Sequence, residues 1–266
     1  MPDISVTKDV AYKEESGEVL RLDVYQPRQN RGVVVDLHGG GWFHGDKAKD
    51  EDLASRLAAE GYLVFVPNYR LAPKHPFPAA RTDVIDAMSW ILGSPYAFDR
   101  DRLALWGSSA GGNLAVEAAL LTGRPAVSWS GPLDLLGFIE ATDGTTAAAA
   151  PAEDFAGISS ASINQAGRND PFLRWVILQN VAGDRSQLRE ATTVLRASIM
   201  SGPVYMVNSL DEFVPASDAT TMQRALAGAG VESTVHLIPG TLHAKGYLDT
   251  AIGGSLAFTA RMLNVG

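Results

Sequence analysis

Five short apolar runs constrain the fold of this chain more than any other feature: Val33–Leu37, Tyr62–Val66, Leu103–Trp106, Ala126–Ser130 and Val204–Asn208. Each is shorter than a helix requires and mostly free of polar alternation, the pattern of strands buried on both faces. Helical stretches separate them. One runs to about Glu60 behind an Asp46–Asp50 cap, with Leu53, Leu57 and Ala58 on one face. Others cover about 79–92, 110–122, 216–226 and 247–263, and Ser233–Ile238 adds a last strand. Strands alternating with helices predict a mostly parallel sheet covered by helices on both faces. Residues 4–12 and 18–25 alternate around a turn-like Glu14–Gly17, and predict an antiparallel hairpin ahead of that sheet.

The alternation breaks once. Between Gly131 and about Ser201 lie roughly 70 residues, against a usual connection of about 4–6. This stretch holds a low-complexity run, Thr142–Pro151, and a short apolar helix, Pro171–Asn180. It begins and ends inside the strand–helix alternation. The chain is therefore read as one domain, 1–266, with a cap or lid inserted at about 131–201.

Composition narrows the function classes. The formal net charge is −8, and no Lys/Arg cluster offsets it, which argues against a nucleic-acid partner. The chain has no cysteine, so disulfides, thiolate chemistry and Cys-based metal sites are excluded. His44, His75 and His236 show no metal-ligand spacing, and no phosphate-binding glycine loop is present. Neither a metal nor a cofactor is expected. The opening MPDISVTKDVAYKEESGE lacks a basic segment followed by an apolar one, and no apolar run approaches about 18 residues. The expectation is a cytoplasmic protein without a membrane span.

Chemistry concentrates at strand ends, where open α/β sheets place their sites. Gly107-Ser108-Ser109-Ala110-Gly111 reads as G-x-S-x-G between a strand and a helix. A sharp turn there would lift Ser109 above the sheet edge, and the following helix would aim its N-terminal N–H groups at developing negative charge. Asn208-Ser209-Leu210-Asp211 follows a later strand, and Thr241-Leu242-His243 follows the last one. The order Ser, Asp, His suits a nucleophile, an orienting acid and a general base: Ser109, Asp211 and His243. Glu212 is the nearest rival to Asp211 as the acid. His38-Gly39-Gly40-Gly41-Trp42 leaves the Val33–Leu37 strand with three residues lacking side chains. Backbone donors for an oxyanion are assigned to Gly40, Gly41 and Ala110, and His38 is read as holding the loop. Trp42, Phe172, Trp175 and Phe213, with Phe155, are aromatic candidates for a substrate pocket, although packing of the cap on the body explains them equally well.

These motifs resemble those of the α/β-hydrolase fold, and within it the hormone-sensitive-lipase-like carboxylesterases and the related bacterial feruloyl-esterase-like group. The matching stretches are HGGGW at 38–42, GDK at 45–47, PNYRLAPKHPFPAA at 67–80, GSSAGGNLA at 107–115, LDEFVP at 210–215 and His243. The resemblance implies cofactor-free hydrolysis of carboxylic esters through an acyl-enzyme, with a small-molecule ester as substrate. Ser108 stands where that family often has Asp, and 131–201 matches nothing in it. An amidase, formamidase or lactonase acting on a small metabolite would use the same machinery. A non-catalytic small-molecule receptor is the reading from another class. A monomer and a homodimer both fit the sequence.

Overall fold

The computed structural model describes residues 4–15, 17–146 and 160–265. Phe155 and the end of the Thr142–Pro151 run lie outside the described residues. One eight-stranded sheet organises the rest, with strands β1 (Ile4–Glu15), β2 (Glu18–Pro27), β3 (Gly32–Leu37), β4 (Tyr62–Pro67), β5 (Leu103–Ser108), β6 (Ala126–Trp129), β7 (Val204–Ser209) and β8 (Ser233–Ile238). Their spatial order is β1-β2-β4-β3-β5-β6-β7-β8. β1 and β2 form the expected hairpin, and β2 lies antiparallel to β4. Every pairing from β4 to β8 is parallel.

Every residue of β3 to β7 is buried, as the unbroken apolar runs predict, whereas β8 at the sheet edge is mostly only half-buried. The pleat sends successive side chains to opposite faces. Val33, Val35 and Leu37 join one core with helices α2 (Ala79–Gly93) and α3 (Ala110–Thr122). Val34 joins the other, with α1 (Glu51–Ala59) and, at the end of the chain, Ala251, Ile252 and Phe258. The first helix begins one turn later than the cap at Asp46 suggests. Asp46 instead accepts from Ala48 N at 2.9 Å and starts a 3₁₀ turn, Lys47–Asp50, that leads into α1.

The stretch after β6 carries α4 (Leu135–Ala141), α5 (Asp170–Asn180) and α6 (Leu188–Ala191) before the chain returns to β7. Its described residues pack on the α2/α3 face through Leu133, Leu135, Leu173, Val176 and Leu188. The two ends of the stretch are tied together: Val194 N donates to Leu133 O at 3.2 Å, and Leu136 N to Thr192 Oγ1 at 2.9 Å. Arg174, buried on α5, donates to Ile139 O at 2.8 Å and so joins α5 to α4. The last helices are α7 (Ala216–Gly228) and α8 (Leu248–Met262). Among the described residues no helix is long and apolar enough to cross a membrane.

Asp218, buried on α7, accepts from Leu133 N at 2.8 Å and Asp134 N at 3.1 Å, where the inserted stretch leaves the sheet. Burial pushes its carboxyl up to about 7 against the pull of those two N–H groups. The unfolded chain releases this proton in the ordinary aspartate range, so folding stability should fall by a few kcal/mol as pH rises from about 4 through about 7. Asp218→Asn keeps an acceptor without the charge and should flatten that part of the profile. Asp218→Ala strands two buried donors and should cost about 2–5 kcal/mol. Urea unfolding at pH 5 and pH 8 checks both, and an equal pH slope in wild type and Asp218→Asn would refute the assignment.

Candidate active site

Four loops leave the carboxyl ends of β3, β5, β7 and β8. β3 sends its connection to β4 on one side, and α2 then carries the chain back to β5 on the other side. A crevice opens where connections diverge in this way.

At the end of β5, Ser109 sits between Ser108 and the first residue of α3 with φ 55° and ψ −122°. A non-glycine residue there is strained, and the surroundings must hold it. Ser109 N donates to Trp129 O at 2.7 Å, and Ser109 O accepts from Asn113 N at 3.1 Å. The turn also needs the absence of a side chain at Gly111. A Cβ there would lie 1.8 Å from Leu37 O, because the first turn of α3 presses directly on the end of β3.

The glycine loop after β3 lies against this elbow: a Cβ on Gly39 would come within 3.4 Å of the Ser109 Cβ. Gly40 has φ 122°, and its carbonyl accepts from Phe43 N and His44 N, both at 3.1 Å, so the loop folds back on itself. His38 is buried beneath. Its Nδ1–H donates to Gly39 O at 2.8 Å, and its ring stacks on Tyr69 at 4.2 Å, while the Tyr69 hydroxyl donates to His38 O at 2.7 Å. Burial lowers the pKa of His38, which favours a neutral imidazole serving the loop rather than an acid or base. Burial also pushes the nearby His44 down to about 4.

The carboxylate beside His243 is Glu212 and not the expected Asp211. His243 Nδ1 lies 2.5 Å from Glu212 Oε2, and both side chains are buried. Asp211 is exposed, and its N–H donates to Gly240 O at 3.0 Å, which turns the residue out of the site. Glu212 is held from behind: its Oε1 accepts from Ser209 N at 2.8 Å and Ser130 Oγ at 2.9 Å. Ser130 Oγ also accepts from Ala244 N at 2.8 Å and contacts the Tyr247 hydroxyl at 2.6 Å. Burial and the neighbouring Glu212 charge push the Tyr247 phenol well above its usual range, so it keeps its proton. The second ring nitrogen, His243 Nε2, is buried and has no hydrogen-bond partner among the described residues.

Ser109, His243, Gly40, Gly41 and Ala110 all line one cavity of about 770 Å³, its open mouth included. Ile163, Phe172, Leu173, Val176, Phe213 and Val214 give it an apolar side, and Trp42 also lines it. Trp175 is not among the lining residues. It stands one layer back, stacked on Phe172 at 5.8 Å and edge-on to Phe43 at 4.9 Å, because its position on α5 faces those rings. The opposite side is polar in a way the sequence reading missed. Asp50, at the end of the expected helix cap, is buried against Lys245, whose ammonium donates to Lys49 O at 2.6 Å and pairs with Asp50 at 3.2 Å and with Asp52. The alternating positions of these residues in two distant segments give no sequence signal of that pairing. Gln165, also missed, bonds the main chain of His243 on both sides. Glu15, Asp83 and Asp86 are the one group among the described residues with metal-like spacing, but Lys13 already sits among them, 2.7 Å from Asp83 and from Asp86.

Comparison with known proteins places this geometry in context. Residues 34–245 match the model of a family described as alpha/beta hydrolase fold. An arylesterase of Saccharolobus solfataricus is 36% identical over 124 residues, which cover 44% of this chain and 40% of that protein. Esterase LipC of Mycobacterium tuberculosis is 27% identical over 258 residues, covering 93% of this chain and 62% of LipC. The chain thus spans less than two thirds of the length of either relative. A solved structure of an esterase from Pyrobaculum calidifontis superposes with a TM-score of 0.73 at 21% identity, over 98% of this chain and 85% of that one, and shares its fold.

Gly111→Ala must push the first turn of α3 off Leu37 O, and overpacking of this kind costs about 1–3 kcal/mol or more. Denaturant unfolding should show a lower midpoint at unchanged slope. A wild-type midpoint would mean that the contact between α3 and β3 is looser than described.

Proposed function

Since this chain belongs to the alpha/beta hydrolase fold family, we propose that it hydrolyses carboxylic esters of small molecules through an acyl-enzyme on Ser109. The observation that carries this reading is the buried Glu212–His243 contact, with His243 Nε2 left unpartnered in the same cavity as Ser109. The names of the esterase relatives agree with it.

The residues divide the work as follows. His243 Nε2 removes the proton of Ser109 as Oγ attacks the ester carbonyl carbon. The carbonyl electron pair moves onto oxygen, and the N–H groups of Gly40, Gly41 and Ala110 receive that charge. Glu212 accepts from His243 Nδ1–H and stabilises the imidazolium. When the tetrahedral centre collapses, the C–O bond to the alcohol breaks, and the alcohol leaves with the proton from His243 Nε2. Water then attacks the acyl-serine carbonyl carbon while giving a proton to His243 Nε2. As the second tetrahedral centre collapses, the C–Oγ bond breaks, His243 returns that proton to Ser109 Oγ and the acid leaves. The N-terminus of α3 adds its positive end at the site of the charge. We also propose that residues of 131–201 cap the site, a reading supported by Ile163, Phe172, Leu173 and Val176 on its apolar side.

Two measurements test this. Hydrolysis of p-nitrophenyl esters across acyl lengths should be serine-dependent, with Ser109→Ala lowering kcat/KM on the order of 10⁴–10⁶-fold. Turnover that survives Ser109→Ala would refute the nucleophile. Glu212→Gln should lower kcat on the order of 10³–10⁴-fold, while Asp211→Asn should stay within about 2-fold of wild type. The reverse ranking would return the acid to Asp211.

A further inference from the structure

We infer that Gln165, in the stretch inserted between β6 and β7, is a positioning residue for His243 and joins the wall of the cavity to the base. Its side-chain amide straddles the backbone of His243. Oε1 accepts from His243 N at 2.8 Å, and Nε2 donates to His243 O at 3.0 Å and also to Ile163 O at 2.7 Å. Its own carbonyl accepts from Thr241 Oγ1 at 3.0 Å, on the approach to the histidine. The fit on the other side is close as well: a Cβ on Gly246 would lie 2.1 Å from Gln165 Oε1.

The neighbours of Gln165 explain why this clamp bears on chemistry. Ile163 and Asn164 line the cavity, and Asn164 holds a left-handed conformation with φ 59°. On the far side, a Cβ on Gly167 would meet Asp211 O at 2.8 Å, so the segment also rests on the loop that carries Glu212. Within residues 163–167 the chain therefore touches the cavity, the histidine main chain and the loop that carries Glu212. β8 ends at Ile238, and His243 stands five residues beyond, outside any regular element. From the triad side, its imidazole is held by Glu212 and its loop by the Ala244–Ser130 and Leu242–Ser209 bonds. Gln165 is the side chain that holds the peptide units of His243 on both sides, sharing His243 O with Gly246 N, which donates to it at 2.9 Å. Without it, the ring would lose its fixed distance from both Glu212 and Ser109, and displacement of about 1 Å can cost 10²-fold in rate.

The kinetic part of the test rests on the ester-hydrolysis reading, and a spectroscopic part does not. Gln165→Met keeps the length of the side chain and removes all three of its hydrogen bonds. Gln165→Glu keeps an acceptor for His243 N and loses the donor to His243 O. For Gln165→Met, kcat on a p-nitrophenyl ester should fall roughly 10–100-fold with KM within about 3-fold. Gln165→Glu should recover part of that loss, and both variants should remain folded under assay conditions, with Gln165→Met unfolding at a lower midpoint because it strands His243 N–H. In parallel, the low-field proton NMR signal of His243 Nδ1–H, bonded to Glu212, should shift or broaden in Gln165→Met. Wild-type kcat, or reduced kcat with an unchanged Nδ1–H signal, would overturn the inference. If wild type shows no serine-dependent turnover, the ester reading fails, and the NMR signal alone decides whether Gln165 positions the ring.

Discussion

The contact between the first turn of α3 and the end of β3 is the constraint on which the rest of this structure depends. The helix can start immediately after β5 only because Gly111 lets its backbone lie on Leu37 O. That proximity forces Ser109 into a left-handed turn and raises it over the sheet edge. It also presses the glycine loop of β3 against the serine, so the groups that would receive an oxyanion and the group that would create it are set by the same packing. Asn113, one turn into α3, carries the constraint outward by donating to Pro132 O and Thr193 Oγ1, both at 2.9 Å, at the two ends of the inserted stretch.

A second network, independent of the elbow, places His243. Glu212 and His243 come from loops after different strands, and neither loop is rigid by composition. Ser130, at the end of β6 with φ 52°, bonds to both loops through Glu212 Oε1 and Ala244 N. Tyr247 closes the set by donating to Val207 O at 2.8 Å. A buried carboxylate is costly unless its oxygens are bonded, and two of the partners of Glu212, Ser209 N and Ser130 Oγ, also tie down the ends of β7 and β6. The polar core of the site therefore fixes geometry as well as charge. Gln165 extends this hold into the cavity wall, so the inserted stretch bears on the position of the base as well as the shape of the pocket.

Much of this was legible in the chain because it rests on local patterning. The apolar runs marked every central strand, the glycines marked the two loops that approach backbone closely, and Ser109 and His243 followed from their positions after strands. Asp211 did not hold. Two adjacent carboxylates after β7 are equivalent as letters, and which one turns inward depends on the Asp211 N–H meeting Gly240 O and on Ser209 N–H receiving the Glu212 carboxylate. Trp175 failed for a related reason: spacing on a helix places it beside Phe172, but whether it reaches the cavity or backs the ring that does is a matter of packing between layers.

The sequence by itself determined the sheet, its two helical faces, the loop from which a serine projects and the loop that carries a histidine, because burial and backbone geometry act over a few residues and leave a periodic or glycine signature. The tertiary structure alone decided which carboxylate faces His243, that Lys245 is buried against Asp50, that Trp175 stands behind the cavity and that Gln165 grips the histidine main chain. Those outcomes join residues tens to hundreds of positions apart through single hydrogen bonds and ring contacts, and such pairings exist only once the strands and the inserted stretch have packed.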